Sequence, residues 1–169
     1  MKIQDVNNMS SEDFIENFKN IFEKTSSIAI FSEKKRPYKD KKHLIKVFID
    51  EFESLSISKK KTIINNHPDL GNKLKIINTL TDMSKNEQKN AGLDSCTEEE
   101  FLLFKRMNDE YKLKFSIPFI FAVKGTNKST IIDEFKRRLK NKNIELELEE
   151  SLKQVKKIAN FRLDAIIDE

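Results

Sequence analysis

Apolar residues recur along most of the chain three or four positions apart, which is the spacing of one face of an α-helix. The first such face carries Phe14, Ile15, Phe18, Ile21 and Phe22, and Ser10 or Ser11 can cap its start. Further helical patterns lie at Leu44–Phe52, from about Ser58 to before Pro68, at Leu74–Leu80, at Thr97–Phe115, from Ile131 to about Asn141 and at Leu148–Leu163. The pattern at Thr97–Phe115 starts with Thr97-Glu98-Glu99-Glu100, which predicts a capping box. We therefore predict an all-α fold, a compact single-domain helical bundle of about eight to nine helices over residues 1–169.

The segment from Phe115 to Gly125 departs from this pattern. It is continuously apolar and rich in β-forming residues, but Pro118 lacks a backbone donor and argues against a central strand. We predict a buried extended segment, whose backbone N–H and C=O groups need hydrogen-bond partners. Two interpretations are open: a polar ligand satisfies these groups, or the segment is a loop that crosses the core.

Composition excludes several classes of protein. The 32 Lys and Arg residues give a net charge of only +4 because 28 Asp and Glu residues are interspersed among them. No nucleic-acid-binding face is therefore predicted, and the basic runs at 33–36 and 59–61 are interpreted as solvated.

No apolar run reaches the length of a membrane span, and neither a signal peptide nor a peroxisomal Ser-Lys-Leu terminus is found. We expect a cytoplasmic protein.

Candidate chemistry begins with histidine, which is scarce. His67 directly precedes Pro68, and the only other histidine is His43. An imidazole titrates near neutral pH and suits acid/base catalysis, although a histidine at a helix end can also be a satisfied polar residue. Metal binding is not expected, since the chain has two histidines and a single cysteine, Cys96.

A second candidate segment runs from Ser84 to Gly92. Ser84 and Glu87 have the spacing of a capping box, which would explain both residues without any catalytic role. That interpretation leaves out Gln88 and Ala91, which share a helical face with Ser84. Further along, Arg162 lies on the apolar side of the last predicted helix. It can pair with a buried carboxylate or bind a carboxylate ligand.

Taken in order, these segments resemble the OHCU decarboxylase family, where OHCU is 2-oxo-4-hydroxy-4-carboxy-5-ureidoimidazoline. The resemblance extends from about Phe14 onward. It rests on His-Pro-Asp-Leu at 67–70, Leu-Thr at 80–81, Ser-x-x-Glu-Gln-x-x-Ala-Gly-Leu at 84–93, Phe104, Asn108, Tyr111, Lys-Phe at 114–115, Pro-Phe-Ile at 118–120, Arg-Leu at 138–139, Asn141 and Ile-Ala-x-x-Arg-Leu at 158–163.

The resemblance implies cofactor-independent decarboxylation of OHCU to (S)-allantoin and CO2 during urate breakdown. It assigns proton transfer to His67, with Glu87 either pairing with it or orienting it. It also implies a homodimer, without metal, that works beside urate oxidase and hydroxyisourate hydrolase. Substrate contacts carried over from the family are Pro68, Ser84, Gln88, the backbone around Phe119, Ile120 and Val123, and Arg162.

Two segments depart from the family pattern. Thr25-Ser26-Ser27 stands where the family usually has Ser-Pro-Trp, and Ser116-Ile117 stands where it usually has Gly-Phe. These changes leave a decarboxylase of a related ureido acid open as an alternative. A second alternative is a non-catalytic helical interaction or adaptor protein, although such a protein has no need of His67, Glu87, Gln88 and Arg162 together.

Overall fold

All regular secondary structure in residues 1–72 and 80–168, the part of the chain that the computed structural model describes, is helical. These residues form nine α-helices and one short 3₁₀ turn, Leu93–Ser95. The helices are α1 Ile3–Asn8, α2 Ser11–Phe18, α3 Ser26–Glu33, α4 Lys41–Glu53, α5 Ile57–Asn66, α6 Asp82–Asn90, α7 Glu98–Phe115, α8 Lys128–Leu139 and α9 Ile144–Ile166. The all-α prediction is confirmed; the helical pattern predicted at Leu74–Leu80 falls largely outside the described residues.

Side-chain caps set where several helices begin. The Ser10 hydroxyl accepts a hydrogen bond from the Asp13 amide at 3.0 Å and starts α2. Thr97 and Glu100 form the predicted capping box of α7, in which each side chain accepts from the backbone N–H of the other residue. Such a cap stabilises a helix by about 1 kcal/mol.

Helix α2 is shorter than its hydrophobic spacing predicted. It ends at Phe18, after which the Ile21 amide donates to the Phe18 carbonyl at 3.1 Å in a tight turn. Ile21 and Phe22 are nevertheless buried. The spacing therefore predicted correctly which residues face the core, and wrongly that they continue the helix.

The chain divides into two compact units, Met1–Ile63 with Lys156–Glu169, and Ile64–Val155. The prediction of one domain over the whole chain stays a prediction. The core of the first unit is largely aromatic: the Phe14 and Phe18 ring centroids lie 4.6 Å apart, and the Phe22 ring stacks on Phe52 at 4.9 Å. Burial of each such ring contributes about 1.5–3 kcal/mol.

The two basic runs are not fully solvated, contrary to expectation. Arg36 donates to the Met9 carbonyl at 2.6 Å and forms an ion pair with Glu33. Lys60 pairs with Glu53 at 3.3 Å, and its ammonium lies over the Phe52 ring. One cation of each run is therefore used to tie helices of the first unit together.

The second unit is built around α7 and α8. Tyr111, Phe119 and Phe135 cluster in its core, where the Phe119 and Phe135 rings stack with centroids 3.6 Å apart. Arg138 and Glu147 form an ion pair of 2.5 Å in the same core, with both side chains 1% exposed. A buried ion pair is stable only if further hydrogen bonds satisfy its remaining polar atoms. Arg138 makes such a bond, since its guanidinium also donates to the Ser151 hydroxyl at 3.0 Å.

Candidate active site

His67 lies immediately after α5, where its amide donates to the Ile64 carbonyl at 3.1 Å. The residue is only 9% exposed, and it borders a cavity of about 310 Å³. The cavity is lined by Asn65, His67, Asp69, Lys112, Ser116, Ile117 and Pro118. The structure thus brings the predicted proton-transfer residue to the start of the predicted extended segment.

The turn that follows His67 is held by a buried amide side chain on α6. The Gln88 Oε1 atom accepts from the Gly71 amide at 3.2 Å, and Gln88 Nε2 donates to the Asp69 carbonyl at 3.3 Å. Both polar atoms of the Gln88 side-chain amide therefore form hydrogen bonds with the backbone of this turn. This contact links the two motifs on which the resemblance mainly rests.

A second buried amide, Asn108 on α7, holds the same turn from another side. Its Nδ2 atom donates to the Leu70 carbonyl at 2.9 Å and to the Phe104 carbonyl of its own helix at 2.9 Å. Since both Asn108 and Gln88 are 3% exposed, these hydrogen bonds are shielded from water. Shielding makes the loss of either partner costly.

Position 71 closes the turn, and it requires glycine for two reasons. Its φ angle is +69°, in the left-handed region that other residues rarely adopt. In addition, a Cβ atom at this position would lie 2.6 Å from Cγ of Phe104. The backbone of the turn therefore packs directly against the Phe104 ring of α7.

Charged groups border the cavity beside His67. The Asp69 carboxylate forms an ion pair with the Lys112 ammonium at 2.6 Å, and Lys112 is the more exposed of the two side chains. Sequence reasoning did not single out Lys112 or Asn65 as cavity residues, whereas Ser116 and Ile117 were noted as a departure from the family pattern. Lys112 could have been predicted from helical spacing, because it lies one turn after Asn108 on α7, and Asn108 is one of the residues that carry the resemblance.

The predicted role of Ser84 in capping is wrong. The cap of α6 is Thr81, whose hydroxyl accepts from the Ser84 amide at 3.3 Å, so Ser84 is the third residue of the helix. The predicted common face is confirmed, since Ser84, Gln88 and Ala91 are all buried. Glu87 is half-buried on the same helix, and its role in orienting His67 stays a prediction.

The segment between α7 and α8 contains neither helix nor strand and is largely buried, as predicted. Several of its backbone groups are satisfied by the protein itself. Arg138 Nη1 donates to the Ile120 carbonyl at 2.5 Å, and the Ala122 amide donates to Gln154 Oε1 at 3.0 Å. The Val123 carbonyl accepts from the Thr126 amide at 3.0 Å. A ligand is therefore not needed at these three groups.

A network of buried polar side chains lies behind this segment. Burial raises the pKa of Tyr111, whose hydroxyl donates to the Glu147 carboxylate. Arg138 donates to the same carboxylate at 2.6 Å and holds Ile120, so the network connects α7, α8 and α9 to the segment. Substrate contacts at Phe119, Ile120 and Val123 stay a prediction; the side chains of all three are buried.

Arg162 belongs to the first unit and makes the pairing contact that the sequence left as an alternative. Its guanidinium donates to the Asn20 carbonyl at 2.8 Å and pairs with Glu23 at 3.1 Å. The Glu23 side chain is 0% exposed, so its charge is compensated inside the protein. The predicted contact of Arg162 with the carboxylate or the ureido group of a substrate stays a prediction.

Two searches of residues 1–72 and 80–168 bear on other kinds of site. These residues contain no group of three or more His, Cys, Asp or Glu side chains that could hold a metal ion. None of the helices in this part of the chain is long and apolar enough to cross a membrane.

Comparison with known proteins places these residues in a family. The model of the OHCU decarboxylase family matches residues 7–164. A uric acid degradation bifunctional protein of Bacillus sp. (strain TB-90) is 37% identical over 169 residues, and the chain spans 33% of its length. The 2-oxo-4-hydroxy-4-carboxy-5-ureidoimidazoline decarboxylase of Xenopus laevis is 36% identical over 165 residues, which are 96% of this chain and 93% of the relative.

A solved structure shows the same fold. The crystal structure of an (S)-allantoin synthase superposes with a TM-score of 0.78 at 23% sequence identity, over 99% of this chain and 54% of the other. The family model spans almost the whole sequence, and the Xenopus laevis relative is matched over nearly its full length. The chain therefore belongs to the OHCU decarboxylase family.

Proposed function

We propose that this chain decarboxylates OHCU to (S)-allantoin and CO2, as a step of urate breakdown, without a cofactor. The observation that carries the proposal is the position of His67, which borders a cavity in a member of this family. Gln88 and Asn108 hold the turn beside it by buried hydrogen bonds. Catalysis benefits from such support, because a proton-transfer group must be held in one geometry.

The chemistry of OHCU explains why no cofactor is required. Its C4 atom carries the carboxylate and a hydroxyl group, and the neighbouring C5 atom forms an imine. When the bond from C4 to the carboxylate breaks, its electron pair forms a C4–C5 double bond, and the imine π pair moves to nitrogen, which takes a proton. The C4 hydroxyl then loses its proton while C5 gains one, which gives the C4 carbonyl of allantoin. The substrate is thus its own electron sink, and the net change is loss of CO2 and uptake of one proton.

His67 is the residue that we assign to proton transfer. In this proposal it takes the C4 hydroxyl proton and delivers a proton to one face of C5, which sets the (S) configuration. Glu87 orients the imidazole and favours its charged form, since a neighbouring carboxylate stabilises an imidazolium. Pro68, Ser84, Gln88, Arg162 and the backbone at 119–123 position the substrate.

An altered substrate is the second candidate, because one departure from the family pattern borders the cavity. Ser116 and Ile117 line it together with His67, whereas the family usually has Gly-Phe at these positions. Loss of the larger aromatic side chain changes the wall that a substrate would meet. A related ureido acid is therefore the alternative to test beside OHCU.

Partners and location complete the proposal. The Bacillus relative is named as a bifunctional protein of uric acid degradation, which supports urate oxidase and hydroxyisourate hydrolase as pathway neighbours. We also include self-association as a homodimer, for which exposed leucines on α7 provide a candidate surface. We also include a cytoplasmic setting, which is supported by the presence of a single, buried cysteine, Cys96.

Circular dichroism on freshly generated OHCU tests the activity. OHCU is produced from urate by urate oxidase and hydroxyisourate hydrolase, and the protein is then added. The expected result is a fast rise of the (S)-allantoin signal. A rate equal to the spontaneous decay of OHCU, which yields racemic product, would reject this substrate, and the related ureido acids would then be assayed by CO2 release.

A further inference from the structure

The cavity beside His67 contains a cation to which the proposed function gives no role. Lys112, on α7, lines this cavity together with His67 and Ser116. The cavity volume of about 310 Å³ is at the low end of the range for pockets that enclose small molecules. The Lys112 side chain is 43% exposed, so a ligand can reach it. A ligand that fills the cavity would therefore meet the imidazole and the ammonium together.

Two contacts of α7 hold Lys112 at this cavity. The Lys112 ammonium forms an ion pair of 2.6 Å with the Asp69 carboxylate. One helical turn earlier, the Asn108 side chain donates to the Leu70 carbonyl at 2.9 Å. The helix thus contacts two consecutive residues of the turn that follows His67. The position of the ammonium relative to the imidazole is therefore set by the fold and not by the lysine side chain alone.

The Lys112 ammonium can bind an anion while it stays paired with Asp69. A lysine ammonium has three N–H donors, and within residues 1–72 and 80–168 the Lys112 ammonium uses one of them, for Asp69. The Asp69 side chain is 17% exposed, compared with 43% for Lys112. Of the two charges in this ion pair, the positive one is therefore the more accessible to a ligand.

The substrate of the proposed function carries the complementary charge, since OHCU has a carboxylate on C4. The sequence suggested Arg162 as a cation for this group. Arg162 is 4% exposed and pairs with the buried Glu23 carboxylate at 3.1 Å, so its charge is compensated inside the protein. Lys112, by contrast, is accessible and shares its cavity with the imidazole of His67. A substrate carboxylate in this cavity can therefore accept hydrogen bonds from the Lys112 ammonium.

We propose that Lys112 binds the carboxylate of the substrate in the cavity beside His67. Because this carboxylate is that of OHCU, the role of Lys112 rests on the proposed function. The carboxylate leaves as CO2, so its negative charge moves away from Lys112 in the transition state. The ion pair therefore stabilises the bound substrate more than the transition state, and it lowers KM without raising kcat. Lys112 is thus a binding residue, and proton transfer stays with His67.

Removal of the positive charge tests this role in the OHCU assay. Lys112→Met keeps the length of the side chain, and we expect it to raise KM about three- to tenfold with kcat within about twofold of the wild type. Lys112→Arg keeps the charge and should stay near the wild-type KM. The matched control is Lys105→Met, because Lys105 is another exposed lysine of α7, pairs with Asp109 at 2.8 Å and is not among the cavity residues. We expect this control to leave KM unchanged.

Asp69→Asn separates a binding role of Lys112 from a structural role of the ion pair. If the pair only held α7 against the turn, loss of either partner would shift KM in the same direction. The asparagine can still accept a hydrogen bond from Lys112, but it no longer neutralises the ammonium or repels an anionic ligand. We therefore expect Asp69→Asn to lower KM about two- to threefold, opposite to the effect of Lys112→Met. Thermal unfolding followed by circular dichroism confirms that both variants are folded.

A binding measurement that needs no turnover completes the test. Allantoate carries a carboxylate and two ureido groups, whereas (S)-allantoin is the uncharged, ring-closed compound. Isothermal titration calorimetry with both compounds therefore measures what the carboxylate contributes to binding. We expect Lys112→Met to bind allantoate about three- to tenfold more weakly than the wild type, and to bind (S)-allantoin with unchanged affinity.

Three results would overturn the proposal. They are a wild-type KM for OHCU in Lys112→Met, KM shifts of the same sign in Lys112→Met and Asp69→Asn, and allantoate binding that is absent from the wild type or unchanged in Lys112→Met. Failure of the proposed function gives a different pattern, in which OHCU is not decarboxylated but allantoate binding still depends on Lys112. Decarboxylation of OHCU with a KM that does not depend on Lys112 would reject the role of Lys112 alone.

Discussion

The side chain of Gln88 accepts a hydrogen bond from the Gly71 amide at 3.2 Å and donates one to the Asp69 carbonyl at 3.3 Å. This contact means that α6 holds the turn that directly follows His67 and Pro68.

Replacing Gln88 by leucine should destabilise the protein by about 2–4 kcal/mol, because a buried backbone N–H and a part-buried C=O would each lose their partner. Urea unfolding followed by circular dichroism measures this. Asn86→Leu on the exposed side of α6 is the matched control, and should change the free energy of unfolding by no more than about 0.5 kcal/mol. Equal effects of the two substitutions would show that the Gln88 hydrogen bonds are not significant for stability.

Gly71→Ala and Gly125→Ala form a second matched pair. Both glycines have positive φ angles, +69° and +76°, so alanine costs about 1–2 kcal/mol of backbone strain at either position. Only at Gly71 would the new Cβ atom also collide with the Phe104 ring, whereas at Gly125 it would meet no atom within 4 Å. We expect Gly71→Ala to lower the melting temperature clearly more than Gly125→Ala. A difference of zero would contradict the close approach of the turn to α7.

Ser116→Gly should stabilise the protein. Ser116 ends α7 with a φ angle of +57°, a left-handed conformation that favours glycine. Relief of this strain is partly offset by the greater freedom of glycine in the unfolded chain, so we expect a gain of up to about 1 kcal/mol. Differential scanning calorimetry measures it. A lower melting temperature would show that the serine side chain makes a compensating contact at the cavity.

Acid stability should depend in part on Glu53. Hydrogen bonds from Lys156 and Lys60 hold the pKa of Glu53 below its usual value of 4.5, against the opposing effect of burial. Because the folded pKa is the lower one, the stabilisation is fully present above about pH 4.5 and is lost as the pH falls through the folded pKa. The effect should stay below about 1 kcal/mol, since the side chain is 46% exposed.

Glu53→Gln checks this sign. The variant should be less stable than the wild type at pH 7, and the difference should shrink as the pH is lowered below 4.5. Thermal unfolding over that range provides the comparison. A difference that grows towards low pH would contradict the assigned direction of the pKa shift.

Much of the fold could be predicted from hydrophobic spacing, because helices bury residues at regular intervals. The capping box at Thr97 and the break at Pro118 were also readable, since each depends on local chemistry. The end of α2 could not be predicted in this way. Ile21 and Phe22 are buried as predicted, but they lie in a turn after the helix, and hydrophobic spacing does not distinguish a buried turn from a further turn of helix.

The site was predictable to a smaller extent. His67 and the buried face of Ser84 and Gln88 followed from motif and spacing, whereas the capping role of Ser84 was wrong because Thr81, three residues earlier, has the same capacity. The pairing of Lys112 with Asp69 joins residues far apart in sequence, which local patterns do not reveal. Arg162 had two possible partners on physical grounds, and the structure shows its pairing with Glu23.

The role of His67 is tested most directly by the rate of (S)-allantoin formation from OHCU by His67→Asn, compared with His43→Asn. His43 is the only other histidine; it lies on α4, is not among the residues that line the cavity, and accepts a hydrogen bond from the Lys39 amide at 3.1 Å. We expect His67→Asn to lower kcat by about 10²–10⁴-fold while remaining folded, and His43→Asn to keep nearly wild-type activity. A His67→Asn variant with the kcat of the wild type would contradict the assignment of His67 to proton transfer.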